Sequence, residues 1–243
     1  MPTLILTPRF TEDAQALWRA AGLLGWDVER LASWRVPEEM CSVAEPVLYL
    51  EALMGPTLAA QFGLKLIEPP VDWLPRLPEE YRKRKVELMT LGFARGLQQP
   101  AFIKPPNDKC FPARIYLGSE LPIDFPAEMP VLVSEIVDWE SEFRCFLLER
   151  QLRTFSVYLR DGELQREQGF PHTDQESKEI QDFVADLLAD NRIDFPKATV
   201  VDVGRIRNRG LAVVEQNAAW GSGLYGCDPI EVLQVIRQAS QPR

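Results

Sequence analysis

Histidine is almost absent from this sequence, which has a single one, His172, among 243 residues. Zinc sites built from several histidines are therefore excluded, and a histidine-based catalytic triad has only one possible base. The four cysteines, at positions 41, 110, 145 and 227, contain no Cys-x-x-Cys pair and are too few for a secreted disulfide framework. Any chemistry is therefore expected to use carboxylates, lysines and arginines.

Long apolar runs and an excess of cations are also missing. No apolar stretch approaches the ~18 residues of a membrane span, and the N-terminus lacks the basic start and apolar core of a signal peptide. With cysteines that read as reduced, these absences predict a cytoplasmic protein without a membrane partner. The 27 Lys and Arg residues against 36 Asp and Glu residues give a net charge of -9, which disfavours general affinity for nucleic acid. A phosphate-bearing ligand would have to meet locally clustered cations.

Composition and punctuation predict a folded chain with one large domain or two modest ones. Hydrophobic residues make up 46% of the sequence and charged residues 26%, which is the profile of a globular protein. The chain opens with a strand over Thr3–Leu6 and a helix that begins behind Thr11, as in a small α/β lobe. Prolines concentrated at residues 69–78 predict a boundary. Residues 79–95, with a basic run at 82–85, are predicted to form a helix with a solvated face.

Strand patterns dominate the next part of the chain. Five apolar segments are predicted as consecutive antiparallel strands: Ala101–Lys104, Ala113–Leu117, Val131–Ile136, Glu142–Glu149 and Leu152–Leu159. Thr173, with Glu176 three residues later, is a capping-box signature that predicts a helix. A hairpin is predicted over residues 200–217, and Asp228 is expected to cap a final helix.

The predicted hairpin carries oxygen-bearing side chains. Glu215 and Asn217 project from one side of their strand, because side chains alternate between faces. If the loop has an even number of residues, such as Asn208-Arg209, the register places Asp202 directly opposite Glu215; an odd loop would put Asp202 on the wrong face. Two carboxylates opposed at ~4.5 to 5.5 Å repel unless a cation lies between them. Two carboxylates and an amide oxygen suit Mg²⁺, whereas the alternative is a solvent-facing acidic surface.

Three cations are candidates to face a phosphate group. Lys104 ends a predicted strand, and Lys109 follows in the next loop. Arg144 shares a strand face with Glu142 and Phe146, where a charged pair needs a partner or a ligand. Each cation taken alone is more often an ordinary member of an ion pair, so only its combination with the oxygen-bearing hairpin points to a site.

The ordered set of motifs resembles the ATP-grasp superfamily, specifically a clade of small members marked by two lysines and an arginine. The resemblance covers roughly residues 79–243 and is carried by these segments: Phe102-Ile103-Lys104-Pro105, Val133-Ser134-Glu135-Ile136-Val137, Glu142-Phe143-Arg144, Val201-Asp202-Val203 and Val213-Val214-Glu215-Gln216-Asn217. It implies an α+β fold in which a nucleotide lies between two α/β lobes, above an antiparallel sheet. Residues 1–75 would form a short N-terminal α/β pre-grasp lobe, and residues 76–243 the ATP-grasp domain.

The resemblance also implies roles for individual residues. Lys104 and Arg144 would be catalytic, and ATP would be bound by a set that includes both: Lys104, Lys109, Glu135, Val137, Glu142 and Arg144. Glu135 to Val137 would be the hinge beside the adenine, and Glu142 would bind the ribose. One or two Mg²⁺ ions would be held by three residues: Asp202, Glu215 and Asn217. Family members often cover the phosphates with a glycine-rich loop, but residues 105–112 contain no glycine, and Lys109 would supply charge in place of backbone N–H groups.

The implied function is an ATP-dependent carboxylate-amine ligase that works through an acyl phosphate and releases ADP and phosphate. Two alternatives stay open, a non-catalytic ATP-binding regulatory module and an ATP-dependent phosphotransferase. The partners would be ATP, a carboxylate and an amine, either as small molecules or within a peptide. The sequence names neither substrate and does not indicate an oligomeric state. Lys83 and Lys85 of the basic run are further candidates to reach the nucleotide, and neither is favoured.

Overall fold

A computed structural model describes residues 1–107 and 109–243. The N-terminal segment is built as predicted from a strand, a capped helix and further short elements. Its elements in chain order are β1 (Thr3–Leu6), α1 (Glu12–Leu23), β2 (Asp27–Arg30), β3 (Pro46–Tyr49), α2 (Gly55–Gln61) and β4 (Leu64–Leu66). The side chain of Thr11 accepts a hydrogen bond from the Ala14 N–H at 3.1 Å and caps α1. Strands β2, β1 and β3 form a parallel sheet in that order.

The end of the chain packs against this N-terminal sheet. Helix α7 (Pro229–Ile236) begins at the predicted cap Asp228, and its buried residues share one hydrophobic core with β1, α1 and β3. Strand β14 (Ser240–Pro242) then pairs antiparallel with β4. The predicted boundary between residues 75 and 76 stays a prediction.

The second sheet is antiparallel and has four strands in the order β5-β8-β6-β7. Its strands are β5 (Val86–Thr90), β6 (Ala101–Lys104), β7 (Arg114–Tyr116) and β8 (Pro130–Ser134). Three short helices accompany it: α3 (Trp73–Arg76), α4 (Glu79–Arg82) and α5 (Leu91–Ala94). The predicted helix over residues 79–95 was wrong. Helix α4 ends at Arg82, Lys83 follows with a φ of 45°, and the chain continues as β5 because that segment pairs with β8.

The third sheet is antiparallel, as predicted, and has five strands in the order β11-β10-β9-β12-β13. They are β9 (Trp139–Leu148), β10 (Gln151–Arg160), β11 (Glu163–Leu164), β12 (Ala198–Ile206) and β13 (Gly210–Asn217). Helix α6 (Asp174–Ala189) contacts β10, and the predicted capping box of Thr173 and Glu176 is present. None of the helices in the described ranges is long and apolar enough to cross a membrane.

Candidate active site

A cavity of about 590 Å³ lies between the four-stranded and five-stranded sheets. Lys104 lines it from the four-stranded sheet, and Lys109 lines it from the following loop. The chain segment between β8 and β9 contributes Glu135 and Val137. Strands β9 and β13 contribute three more of the predicted site residues: Glu142, Glu215 and Asn217. The fold therefore gathers at one cavity residues that are far apart in the sequence.

The hairpin of β12 and β13 reaches the expected alignment by an unexpected route. Ile206 pairs with Gly210, so the loop contains three residues and the prediction of an even loop was wrong. Asp202 nevertheless lies directly opposite Glu215, because the register shifts between Asp202 and Val203. Val203 pairs with Val213, which leaves Val214 as the extra residue of a β-bulge. The bulge compensates for the odd loop and keeps both carboxylates on one face.

The three predicted oxygen-bearing side chains meet at this place. The Asn217 side-chain amide donates to Asp202 Oδ2 at 3.1 Å and to Glu215 Oε1 at 2.8 Å. Lys104 donates to Glu215 across the cavity floor. Arg144 donates to Asp202 through Nε at 3.0 Å and through Nη2 at 2.7 Å, a bidentate arrangement. Each carboxylate therefore has its own cation.

The two carboxylates differ in their electrostatic surroundings. Burial acts to raise the pKa of Glu215, but the Lys104 charge and hydrogen bonds from Lys104 and Asn217 outweigh it and bring the pKa to about 2. Burial raises the pKa of Asp202, which is 0% exposed, and the Arg144 charge acts in the opposite direction. Glu215 is consequently an ionised group on the cavity wall at neutral pH.

The donor set suits a hard divalent cation. In residues 1–107 and 109–243, no group of three or more His, Cys, Asp or Glu side chains is arranged to hold a metal ion. Asp202, Glu215 and Asn217 offer two carboxylates and one amide, which are the oxygen donors that Mg²⁺ accepts when phosphate and water complete its coordination. These residues therefore fit a metal that is carried in with a phosphate ligand.

Arg144 lies behind the cavity wall rather than on it. Its side chain is 9% exposed, and Nη1 donates to the Gly223 carbonyl at 3.0 Å. The guanidinium carbon is 5.3 Å from the ring centre of Tyr158 and 4.7 Å from that of Tyr225. The structure thus holds Arg144 firmly beside Asp202.

Glu142 faces the cavity from β9 in a setting that favours its neutral form. Tyr158 donates a hydrogen bond from its hydroxyl to Glu142 Oε2 at 2.8 Å. Burial raises the pKa of Glu142 to about 7, and the negative charges of Asp202 and Glu215 add to this rise. Glu142 therefore titrates close to neutral pH.

The segment between β8 and β9 is fixed by contacts with the hairpin and with β5. Glu135 accepts from Arg209 at 2.6 Å and from the Lys85 N–H at 3.2 Å, and its own N–H donates to the Lys85 carbonyl at 2.9 Å. The pKa of Glu135 is lowered by the hydrogen bond from Arg209. The Glu135 side chain is thus engaged with the protein, and Val137 lines the cavity next to it.

The glycine-free loop over residues 105–112 forms one side of the cavity. Asn107 donates to the Pro69 carbonyl at 2.7 Å, which ties the start of the loop to the segment before α3. Lys109 is exposed and lines the cavity. The predicted loop includes residue 108, which lies outside the described residues.

Arg84 is a cavity residue that sequence reasoning missed. It was included in a basic run interpreted as a solvated helix face, yet it is 7% exposed and lines the cavity. The alternation of Arg84, Val86 and Leu88 against Lys85 and Glu87 is the signal that could have indicated a strand with one inward-facing arginine.

Known structures share this architecture. A RimK domain ATP-grasp protein from Sphaerobacter thermophilus is 13% identical with a TM-score of 0.53, over 98% of both chains. D-alanine–D-alanine ligase from Bacillus anthracis is 10% identical with a TM-score of 0.57, over 98% of this chain and 96% of that one. D-cycloserine synthetase DcsG is 16% identical with a TM-score of 0.57, over 97% of this chain and 98% of that one. These likenesses confirm the predicted α+β ATP-grasp fold.

Sequence comparison identifies the family. No curated protein sequence matches this chain. Residues 81–235 match the model of an ATP-grasp domain, family 2 of the clade named for its arginine and two lysines. The matched span contains the hairpin and all of the predicted site residues. The predicted resemblance is confirmed, and the coarse functional expectation that comes with it is an ATP-dependent ligase. This chain belongs to the ATP-grasp family, in family 2 of the arginine and two-lysine clade.

Proposed function

We propose that this protein is an ATP-dependent carboxylate-amine ligase that forms an amide bond through an acyl phosphate. The observation that carries the proposal is the meeting of Asp202, Glu215 and Asn217 at the floor of a cavity that also holds Lys104. In a chain of the ATP-grasp family, this arrangement of hard oxygen donors beside a lysine suits the phosphates of MgATP.

The cavity has an apolar part and a charged part, which suit the two ends of a nucleotide. Phe102, Ile115 and Leu132 of the four-stranded sheet provide apolar walls for a base. In the proposed arrangement, the base lies between these residues and Val137, and Glu142 accepts hydrogen bonds from the ribose. The triphosphate then extends toward the charged end of the cavity.

Cations and metal ligands would share the work at the charged end. Lys104 and Lys109 would contact phosphate oxygens, and Arg144 would fix the charge and orientation of Asp202. Asp202, Glu215 and Asn217 would hold one or two Mg²⁺ ions, which neutralise phosphate charge when bound. Lys104 would exchange its bond to Glu215 for a phosphate oxygen when the nucleotide enters.

The proposed reaction has two steps that balance without a protein nucleophile. A substrate carboxylate oxygen attacks the γ-phosphorus, an acyl phosphate forms, and the bond to the β-phosphate oxygen breaks to release ADP. An amine nitrogen then attacks the acyl carbon, the C–N bond forms, and inorganic phosphate leaves as the amine loses its proton. The protein contributes positioning and a fixed electrostatic field rather than covalent chemistry. A cytoplasmic location, where ATP is supplied, is part of this proposal.

A product screen with trapping tests the proposal. The protein would be incubated with MgATP, hydroxylamine and single members of a set of amino acids, short peptides and other carboxylates, with amines added in parallel wells. A ligase should release ADP and phosphate together and should give a hydroxamate or an amide detectable by mass spectrometry. Carboxylate-independent binding of ATP without turnover would support a regulatory module instead. A phosphorylated product without free phosphate would support a phosphotransferase.

A matched pair of variants links any activity to the site. Glu215→Gln removes one charge from the proposed metal set and should abolish product formation. Glu87→Gln removes one charge from an exposed ion pair with Lys85 in the four-stranded sheet and should leave product formation unchanged. Equal activity in the two variants would refute the assignment of Glu215.

A further inference from the structure

Arg84 is a buried cation that joins the two antiparallel sheets. It lies between α4 and β5, and its Nε donates to Ser134 Oγ of β8 at 3.2 Å. Its guanidinium carbon is 4.9 Å from the ring centre of Trp139 at the start of β9. Burial lowers the pKa of Arg84 to about 10, so the group stays charged at neutral pH.

The remaining donors of Arg84 point at the bulge in β13. Nη1 donates to the Val213 carbonyl at 2.6 Å and Nη2 donates to the Val214 carbonyl at 2.8 Å. Val214 is the extra residue of the bulge, and β13 is an edge strand of its sheet. Carbonyls at such a position have no neighbouring strand to accept from, and an unpaired buried carbonyl is costly. Arg84 supplies both of the missing donors from a single planar group.

The bulge decides which residues face Asp202. Without it, the three-residue loop would continue a regular register, in which Asp202 pairs with Val214 rather than with Glu215. A slip of one residue moves every side chain of the shifted strand to the opposite face. Glu215 and Asn217 would then leave the cavity face, and the proposed metal set would be lost.

We propose that Arg84 is a positioning residue that fixes the bulge at Val214 and thereby the face on which Glu215 and Asn217 meet Asp202. Its effect on metal binding rests on the proposed function, whereas its effect on the register does not. Lysine cannot replace it, because an ammonium group lacks the flat fork that reaches two adjacent carbonyls and stacks on Trp139. A residue that acted only by its charge on a nucleotide would, in contrast, tolerate lysine.

Hydrogen exchange without any ligand tests the register directly. We would compare the wild type with Arg84→Lys and Arg84→Gln by mass spectrometry of peptides covering residues 210–218. Both variants should exchange faster than the wild type in this segment. The control is Arg95→Gln, which also removes an arginine that donates to two backbone carbonyls, those of Pro122 and Phe125, and it should leave this segment unchanged. Unchanged exchange in both Arg84 variants would overturn the proposal.

Deletion of Val214 provides a second, independent test. The deletion removes the extra residue, so a regular register would place Asp202 opposite Glu215 without a bulge. We would measure the affinity for Mn²⁺ in the presence of ATP by electron paramagnetic resonance. Arg84→Lys should lower this affinity about tenfold or more in the wild-type background, as loss of a supporting contact to metal ligands does. In the Val214 deletion background, the same substitution should have little effect.

The outcomes separate this inference from the proposed ligase activity. An equal loss of Mn²⁺ affinity in both backgrounds would overturn the positioning role and assign Arg84 to a direct contact with the bound nucleotide. A protein that shows the expected exchange and the expected rescue, but forms no hydroxamate or amide in the product screen, would refute the ligase proposal and leave the role of Arg84 intact.

Discussion

The ammonium group of Lys104 on β6 donates to the carboxylate of Glu215 on β13, although 111 residues separate the two in the chain. This contact crosses the cavity and joins a residue proposed to bind phosphate with one proposed to bind a metal. Both side chains are mostly buried, with 15% and 27% of their surface exposed. The pair therefore marks the place where the triphosphate and its metal would meet.

Replacement of Lys104 should weaken nucleotide binding. We expect Lys104→Met, which keeps the apolar stem, to reduce affinity for ATP about tenfold or more, equivalent to about 1.4 kcal/mol. The reason is that a phosphate oxygen would lose a charge-assisted hydrogen bond. Isothermal titration with ATP measures the change. The control Lys85→Met removes an exposed lysine of the neighbouring strand segment and should bind ATP normally. Wild-type affinity in the Lys104 variant would contradict its phosphate role.

Asp202 and Glu215 should differ in their effect on stability. Asp202→Ala leaves Arg144 buried without its bidentate partner, which should lower the free energy of unfolding by about 3 to 5 kcal/mol. Glu215→Ala should cost less, because Lys104 can turn toward solvent in the cavity. Urea unfolding followed by circular dichroism measures both values.

The buried pair offers its own control. Arg144→Met combined with Asp202→Ala removes both charges and should restore part of the stability that Asp202→Ala alone removes. Additive losses in the double variant would show that the ion pair is not the source of the effect.

Arg144→Lys should be a damaging substitution even though it preserves the charge. Lysine cannot donate side by side to both oxygens of Asp202 while it also bonds the Gly223 carbonyl. We expect turnover in the ADP-release assay to fall by about 100-fold or more, a size typical of losing a preorganised electrostatic group. Tyr225→Phe, which keeps the ring that lies beside the guanidinium, should retain most of the activity. Comparable losses in both variants would argue against a specific need for the guanidinium.

Local signals in the sequence predicted the helices whose ends are capped. Thr173 and Glu176 form the predicted capping box, and Asp228 accepts from the N–H groups at the start of α7. These features involve residues two or three positions apart, so the sequence alone contains the information. The strands of the five-stranded sheet were likewise predicted from local patterns of apolar residues.

The segment around Arg84 was mispredicted because its conformation depends on distant partners. The basic run favoured a solvated helix, but burial of Arg84 against Ser134 and the Val213 carbonyl, and pairing of β5 with β8, decide the structure. Those partners lie 50 and 129 residues away. Tertiary contacts of this kind override local propensity and leave only a weak trace in the sequence.

The opposition of Asp202 and Glu215 was predicted correctly from an incorrect loop. The even loop that was assumed and the odd loop with a bulge at Val214 give the same pairing. Nothing in the local pattern of Val213 and Val214 signals a bulge, since both are ordinary strand residues. The sequence therefore indicated which side chains share a face, but not the backbone irregularity that brings them there.

Glu142 should make stability depend on pH near neutrality. Its pKa is raised from 4.5 to about 7 in the folded protein, so between these values the folded state binds more protons than the unfolded state. Stability should therefore fall as pH rises from about 5 to about 7, and should change little from this source above that range. Glu142→Gln removes the titrating group. The variant should be more stable than the wild type at pH 8, by on the order of 2 kcal/mol, and nearly equal to it at pH 5.

Urea unfolding at a series of pH values tests the role of Glu142, and Tyr158 supplies a second arm. The Tyr158 hydroxyl donates to Glu142 and favours its ionised form, so Tyr158→Phe should make the loss of stability between pH 5 and pH 8 larger. The two substitutions therefore have opposite effects on the same pH dependence, because one removes the buried charge and the other removes a group that stabilises it. A difference between Glu142→Gln and the wild type that does not vary with pH would show that this carboxyl group is not the one that titrates.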